Sequence, residues 1–286
     1  MKKVRIITDR ASDLTKDIIE KYNIEIAEMD ISFGKEVFYE GRGITLEEFY
    51  KKMKKEKELP KTACPSPERF IKLYKKAESD ILVLSMTSKL SATYNSAVLA
   101  KSIYNEEKVE NKINIIDTMT GSIGQGLIVV YAAQLAEMGK SLEEISESVE
   151  KIINKNKLYG VLETLENAIK GGRISKLSGS IINTFNLKPI IKVEDGLVIP
   201  FEKARGEKAS IEKLVRLFLE KDTEKKTLFI GHSNCFEKAI NLKEIISKKT
   251  NYKEVVICDI GSVMGTYASE GCLLLSSLEL PEKIFN

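Results

Sequence analysis

The 286-residue sequence predicts an α/β protein in two domains, a parallel α/β/α sandwich over residues 1–157 and an α+β domain with a mixed sheet over 158–286. Three observations carry this. The chain is long enough to outgrow a single core. Apolar runs without polar alternation, clearest at Ile81-Leu82-Val83-Leu84, recur between helical patterns in the first part, as in parallel strands buried on both faces. After residue 158 the pattern turns to a hairpin with Asp195-Gly196 at its bend.

Residues 4–8 read as the first strand, followed by Asp9, Ser12, Asp13 and a helix over 14–22. Residues 24–33 alternate and read as one strand, and 37–39, beside Gly41 and Gly43, as a short hairpin arm. Thr45-Leu46-Glu47-Glu48 is a capping box that opens a helix, and 51–61 is a charged connector. Ser66 and Pro67 suit the N-cap and first position of the next helix. Strand 81–84 then leads to a helix with Tyr94, Ala97 and Val98 on one side. Residues 113–116 form a strand ending in Asp117, and 126–138 an apolar helix. A second capping box, Ser141 to Glu144, starts a helix with Leu142, Ile145, Val149 and Ile152 on one face. Beyond it come a strand at 159–162, a helical turn at 165–169 and the hairpin at 188–200. A helix over 210–219 and strands at 227–231 and 255–260, flanking a helix near 237–246, precede a closing loop at 261–271.

Composition excludes several classes. Forty-five basic residues against 42 acidic ones give a net charge of +3, which makes no electrostatic case for nucleic acid. No run approaches the roughly 20 apolar residues that span a bilayer, so stable membrane insertion is not expected. Cys64, Cys235, Cys258 and Cys272 form no CxxC pair or zinc spacing, and without a signal peptide they fit a reducing cytoplasm. Asp9, Asp13 and Asp117 could bind Mg²⁺, but no phosphate loop or EF-hand accompanies them, and strand-end capping is their default. No metal and no cofactor is expected.

The stretch 82–97 organises the rest. A buried strand runs into five hydroxyl residues, Ser85, Thr87, Ser88, Ser91 and Thr93, and then into a helix. That order aims N–H groups, hydroxyls and the positive end of a helix at one spot. With Lys89 its only fixed charge, the turn suits one carboxylate better than a polyphosphate. The competing reading makes Ser91 a plain N-cap. Gly171-Gly172-Arg173 permits close backbone approach and fixes the Arg, either to grip a carboxylate or to pair internally. His232 ends a strand. It is either a general base for a serine hydrolase or a cap for the next helix. Arg205 with Lys188, Lys192, Lys203 and Lys208 forms a basic group that is either solvated surface or a docking patch, which leaves a regulatory interaction module as a further alternative.

Taken in order, these motifs resemble the DegV family of bacterial fatty-acid-binding proteins: Ile7-Thr8-Asp9 with Ser12-Asp13-Leu14, Thr62 to Ser66, Leu90-Ser91-Ala92-Thr93-Tyr94, Gly171 to Ser175, Lys203-Ala204-Arg205-Gly206 and Ile260 to Thr266. The resemblance implies two α/β domains with a long acyl chain between them. It implies a non-catalytic carrier that presents the fatty acid carboxylate to a separate ATP-dependent kinase subunit, which makes the acyl phosphate. Thr62 and Ser91, with Ala92 and Tyr267 beside them, would hold the carboxylate; Arg173 would support them; Arg205, with Lys203, would meet the kinase. Three positions depart from the family: Ala92 where Gly is usual, Tyr267 where His is usual, and Cys64 where a polar residue is usual. The usual Gly-Pro-Gly-like turn is replaced by Ala268-Ser269-Glu270-Gly271. Hydroxyls bind a carboxylate without loading an apolar cavity with charge. An acyl chain of ~16 carbons offers ~0.8 kcal/mol per buried CH₂, so the tunnel sets affinity and the hydroxyls set orientation. Ile181, Ile182, Phe185 and Leu187 are candidates for its lining.

Overall fold

Alternate residues of the buried strands face different partners, and this sorts the molecule into layers. The computed structural model describes residues 3–40, 43–107, 111–175, 186–220 and 227–285. The chain opens with β1 (Arg5–Asp9), a 3-10 turn (Arg10–Ser12), α1 (Lys16–Tyr22), β2 (Glu25–Ala27), β3 (Asp30–Phe33), β4 (Glu36–Glu40) and β5 (Gly43–Ile44). It continues through α2 (Leu46–Lys55), β6 (Lys61–Ala63), α3 (Pro67–Lys76), β7 (Ile81–Ser85), α4 (Thr93–Asn105), β8 (Ile113–Asp117), α5 (Ser122–Glu137) and α6 (Leu142–Ile153). Then follow β9 (Lys157–Val161), α7 (Glu166–Lys170), β10 (Leu187–Glu194), β11 (Leu197–Arg205), α8 (Glu207–Leu219), β12 (Thr227–His232), α9 (Phe236–Ser247), β13 (Glu254–Asp259), α10 (Ser262–Ala268) and β14 (Leu273–Leu278).

The first sheet is parallel, in the order β2-β1-β7-β8. On one face Ile7, Ile81 and Val83 pack with Phe70 and Tyr74 of α3 and Ala97 of α4. On the other, Ile6, Leu82 and Leu84 meet α5 and α6. This is the expected sandwich. A second sheet is mixed, in the order β11-β10-β9-β14-β12-β13. Its outer face is covered by α8 and α9 through Leu214, Phe218, Leu242 and Ile246. Its inner face shares one core with the first sheet, because Leu158, Phe229 and Leu274 cluster with Ile123, Leu127 and Val130 of α5. Helix α5 is apolar nearly all round and buried along most of its length, as a helix between two sheets must be.

Several elements differ from the sequence reading. Residues 24–33 form two strands: β2 joins the parallel sheet, whereas β3 joins a third sheet, β5-β4-β3-β6, over which Phe49 and Tyr50 of α2 pack. The alternation changes phase at Ala27-Glu28, from Ile24 and Ile26 to Met29, Ile31 and Phe33, and the change of sheet falls there. The hairpin arm is β4, an inner strand of this sheet between β3 and β5, and Gly41 lies outside the described residues. Helix α4 buries Thr93, Ala97, Ala100 and Tyr104, and Val98 faces out. Strand β14, at the centre of the mixed sheet, was not expected at all. Both capping boxes form as expected.

Candidate functional site

Between the hydroxyl turns of the first sheet and the inner face of the second lies a cavity. The volume open to the centre of a water molecule is about 90 Å³, and the whole space between atoms, mouth included, is about 880 Å³. Its deep walls are apolar, from Leu158, Leu162, Ile191, Val193, Val198 and Leu274. Thr62, Ser91, Arg173 and Tyr267 also line it, together with Thr87 and Thr120. Such a shape, narrow and apolar with a few convergent polar groups, suits a slender amphiphile.

Four of the five sequence-derived ligand residues therefore face one space. Thr62, on β6, hydrogen-bonds the Tyr267 hydroxyl of α10 at 2.7 Å. Each hydroxyl has one proton, so whichever donates within the pair, the other is left to donate outward. Ser91 Oγ and Thr93 Oγ1 lie 2.9 Å apart, and Ser91 Oγ accepts the Thr93 N–H at 3.3 Å. Thr93 is fully buried, so it fixes Ser91 from behind. Helix α4 starts at Thr93 with Ala92 at its N-cap, which corrects the reading of Ser91 as the cap. Ala92 is exposed and does not line the cavity. Among the described residues no acceptor meets the N–H of Ser91 or Ala92. That leaves the start of α4 with free donors.

Arg173 is the one charged side chain among the described residues that line the cavity. Its guanidinium stacks 4.4 Å from the centre of the Tyr267 ring and donates to the Gly171 carbonyl at 2.6 Å. It forms no ion pair within the described residues, contrary to the internal pairing weighed from sequence. Among the described residues its charge is thus unmatched where the hydroxyls gather. Both glycines before it are needed. Gly172 takes φ +75° at the end of α7, and a Cβ on Gly171 would stand 2.4 Å from Tyr267 Cε1.

The carboxylates read as possible Mg²⁺ ligands instead pin loops. Asp9 accepts the Ala11 N–H at 3.1 Å, the Met86 N–H at 2.9 Å and the Gln125 amide at 3.2 Å. Burial outweighs these bonds and pushes its pKa up to about 6. Asp13 accepts from Ser122 Oγ and from the Gly261 N–H at 2.9 Å. Asp117 accepts the Ser88 and Met119 N–H groups. No cluster of three potential metal ligands occurs among the described residues.

His232 lies outside the cavity lining. Its Nδ1 accepts the Cys235 N–H at 3.4 Å, beside the start of α9, and its Nε2 lies 3.3 Å from Asp259. Burial lowers its pKa, with Asp259 opposing. No serine hydroxyl is hydrogen-bonded to it among the described residues, so the hydrolase constellation is not assembled there. In the basic group, Lys188 pairs with Glu163 and Lys192 with Glu194. Lys203, Arg205 and Lys208 are exposed and make no ion pair with a described residue. Of the expected tunnel residues, Ile181, Ile182 and Phe185 lie outside the described residues, and Leu187 is not in the lining.

A mixed α/β scaffold thus encloses an apolar cavity between two sheets, closed at one place by hydroxyls and by one arginine that makes no ion pair with a described residue. The chain belongs to the DegV family, whose description, "Uncharacterised protein, DegV family", matches residues 3–279. A DegV domain-containing protein of Clostridium perfringens is 36% identical over 96% of each chain. A DegV family protein from Ruminococcus gnavus, solved with vaccenic acid, superposes with a TM-score of 0.90 at 29% identity, over 96% of this chain and all of that one. The fatty acid kinase (Fak) B3 protein of Streptococcus pneumoniae, loaded with linoleic acid, superposes with a TM-score of 0.87 at 28% identity, over 96% and 98% of the two chains. No helix of the described residues is long and apolar enough to cross a membrane.

Proposed function

We propose that this protein binds a long-chain fatty acid in the cavity and presents its carboxylate to a separate ATP-dependent kinase subunit in the cytoplasm. The observation that carries the proposal is the narrow apolar cavity in which Arg173, without an ion pair to a described residue, stands beside Thr62, Ser91 and Tyr267. Residues 1–157 supply the carboxylate-holding loops, and residues 158–286 close over the chain. Ser91 and the Thr62–Tyr267 pair donate to the carboxylate, with Ala92 contributing its backbone at the start of α4. Arg173 supplies the counter-charge. Lys203 and Arg205, exposed and without an ion pair to a described residue, meet the kinase. The chain itself holds and orients, because among the described residues no base stands against the hydroxyls of Thr62, Ser91 or Tyr267, and the Asp13 carboxylate that takes the Ser122 hydroxyl is tied to the Gly261 N–H. The fatty acids carried by the solved relatives support this reading, and the name of the pneumococcal relative supports the kinase partner.

Native mass spectrometry of protein purified from a bacterial host is expected to show one bound fatty acid per chain. Apo protein that also takes up neither palmitate nor oleate would end the proposal. With a cognate kinase subunit and ATP, Arg205→Glu is expected to reduce acyl-phosphate formation at least tenfold while fatty acid binding is unchanged. Undiminished turnover would remove the docking role and leave the carrier role standing.

A further inference from the structure

The floor of the cavity is built from a row of residues that cross the mixed sheet. Gly160 of β9 pairs with Ile191 of β10 on one side and with Leu274 of β14 on the other. Leu274 in turn pairs with Gly231 of β12. Ile191 and Leu274 line the cavity, and between them Gly160 offers bare backbone. Leu274 uses that space. A Cβ on Gly160 would stand 2.3 Å from Leu274 Cδ2 and 3.3 Å from Ile191 Cγ1, so the leucine lies across the glycine. On its other flank a Cβ on Gly231 would stand 3.4 Å from Leu274 Cβ. There Ile123 Cγ2 at 3.1 Å and Ile260 Cγ1 at 3.3 Å already fill the space, so the leucine side chain fills the trough left at Gly160 alone.

We propose that Leu274, seated on Gly160, sets the width of the acyl channel and discriminates acyl chains by shape. The inference rests on the fatty-acid reading above. With Leu274 in place the floor is level, and a straight chain fits along it. Without its isobutyl group, positions 160 and 274 would form a trench across two neighbouring strands, roughly 5 Å wide at the inter-strand spacing. A cis double bond turns the chain aside, and the trench would admit the bend. A methyl at position 160 does the opposite. It cannot coexist with the present leucine, and the backbone carbonyl of Leu273 at 3.2 Å leaves the methyl little room to move, so Leu274 must rise into the channel. The relatives solved with vaccenic and linoleic acid carry unsaturated chains, so the scaffold accepts such chains where its lining permits.

Stearate and oleate have the same carbon number and head group and differ by one cis double bond. Their competition for the stripped protein, read by native mass spectrometry, isolates shape. Leu274→Ala is expected to raise the oleate-to-stearate ratio at least fivefold over the unaltered protein. Gly160→Ala is expected to lower it, and Leu274→Met to restore it to within twofold. Opposite shifts at two positions are not the signature of general loosening. A ratio unmoved by Leu274→Ala, or moved in the same direction by both alanine variants, overturns the assignment. If Leu274→Ala does not fold, Leu274→Val replaces it in the same competition, with a smaller expected rise. If the unaltered protein takes up neither acid, the fatty-acid reading itself falls. An unmoved ratio on a protein that does bind sinks this inference alone.

Discussion

Ser269 holds φ +65° and ψ 168° just after α10, a conformation that only glycine occupies without strain. It is buried, and its hydroxyl has no hydrogen-bond partner among the described residues. Both features cost free energy, of order 1–3 kcal/mol for the backbone and a similar amount for the orphan hydroxyl. Glycine would remove both and return about 1 kcal/mol of that through the greater freedom of the unfolded chain. Ser269→Gly is therefore expected to stabilise the protein by about 1–5 kcal/mol, a rise of several degrees in Tm. A lowered Tm by calorimetry would show that the serine is held by something it binds. The same residue scale shows what the sequence made legible. The turn at Ser91 could be read because strand, hydroxyl turn and helix follow one another locally, and a helix start has free N–H groups wherever it falls, whereas Thr62 came only with the family resemblance. Gly171 and Gly172 could be read because close approach and positive φ are written in residue type. The stacking of Arg173 on Tyr267 could not. It joins residues from two distant stretches of chain, and nothing near Arg173 in sequence says that no carboxylate will reach it.

Elements were legible in proportion to how local their signals are. The β10–β11 hairpin was marked by Asp195-Gly196, and both residues take positive φ there, 50° and 77°. Strand β14 was missed because its apolar run, Leu273 to Leu275, ends in Ser276 and Ser277 and alternates nowhere. Its place at the sheet centre depends on pairing with β9, more than a hundred residues away in the chain. The hairpin also shows what pattern cannot give. A Cβ on Gly196 would stand 2.4 Å from Thr87 Oγ1 and 3.1 Å from Lys89 Cγ. The tip is therefore pressed against the hydroxyl turn of the first sheet. Behind the tip, Val193 and Val198 line the cavity. Pairing of β10 with β9 covers Ile190 to Lys192, and the tip lies beyond it. This strap closes the cavity with its tip against the first sheet and with Val193 and Val198 packed on the shared core. Asparagine tolerates positive φ, so Gly196→Asn keeps the turn and wedges the tip away from Thr87. Release of a fluorescent fatty acid to albumin is expected to accelerate several-fold, with little change in Tm. Equal release rates would show that the strap is not what retains the ligand.

The whole molecule is one object because the two sheets share the α5 layer, and a buried carboxylate fastens that layer at the site. Asp13 sits at φ 49° after β1, in the first sheet's loop region. Its carboxylate takes the hydroxyl of Ser122, where α5 begins, and the N–H of Gly261, where α10 begins. Helix α10 carries Tyr267, the partner of Thr62, so the fastening joins the start of the chain to the far wall of the cavity. Alanine at position 13 leaves two buried donors without this acceptor and puts a Cβ-bearing residue with no side-chain oxygen in the left-handed region. Together these changes are worth about 2–4 kcal/mol. Asparagine keeps one acceptor and accepts the backbone, so its loss should be smaller. The expected order of stability in urea is Asp13, then Asn, then Ala. A bound acyl chain adds stability in proportion to the logarithm of its concentration over its Kd. Saturating palmitate should therefore protect the native protein more than the alanine variant, whose Tyr267 wall is released. If Asp13→Ala unfolds within about 0.5 kcal/mol of the parent and gains as much from palmitate, the carboxylate is not the fastening, and the shared α5 layer holds the two sheets without it.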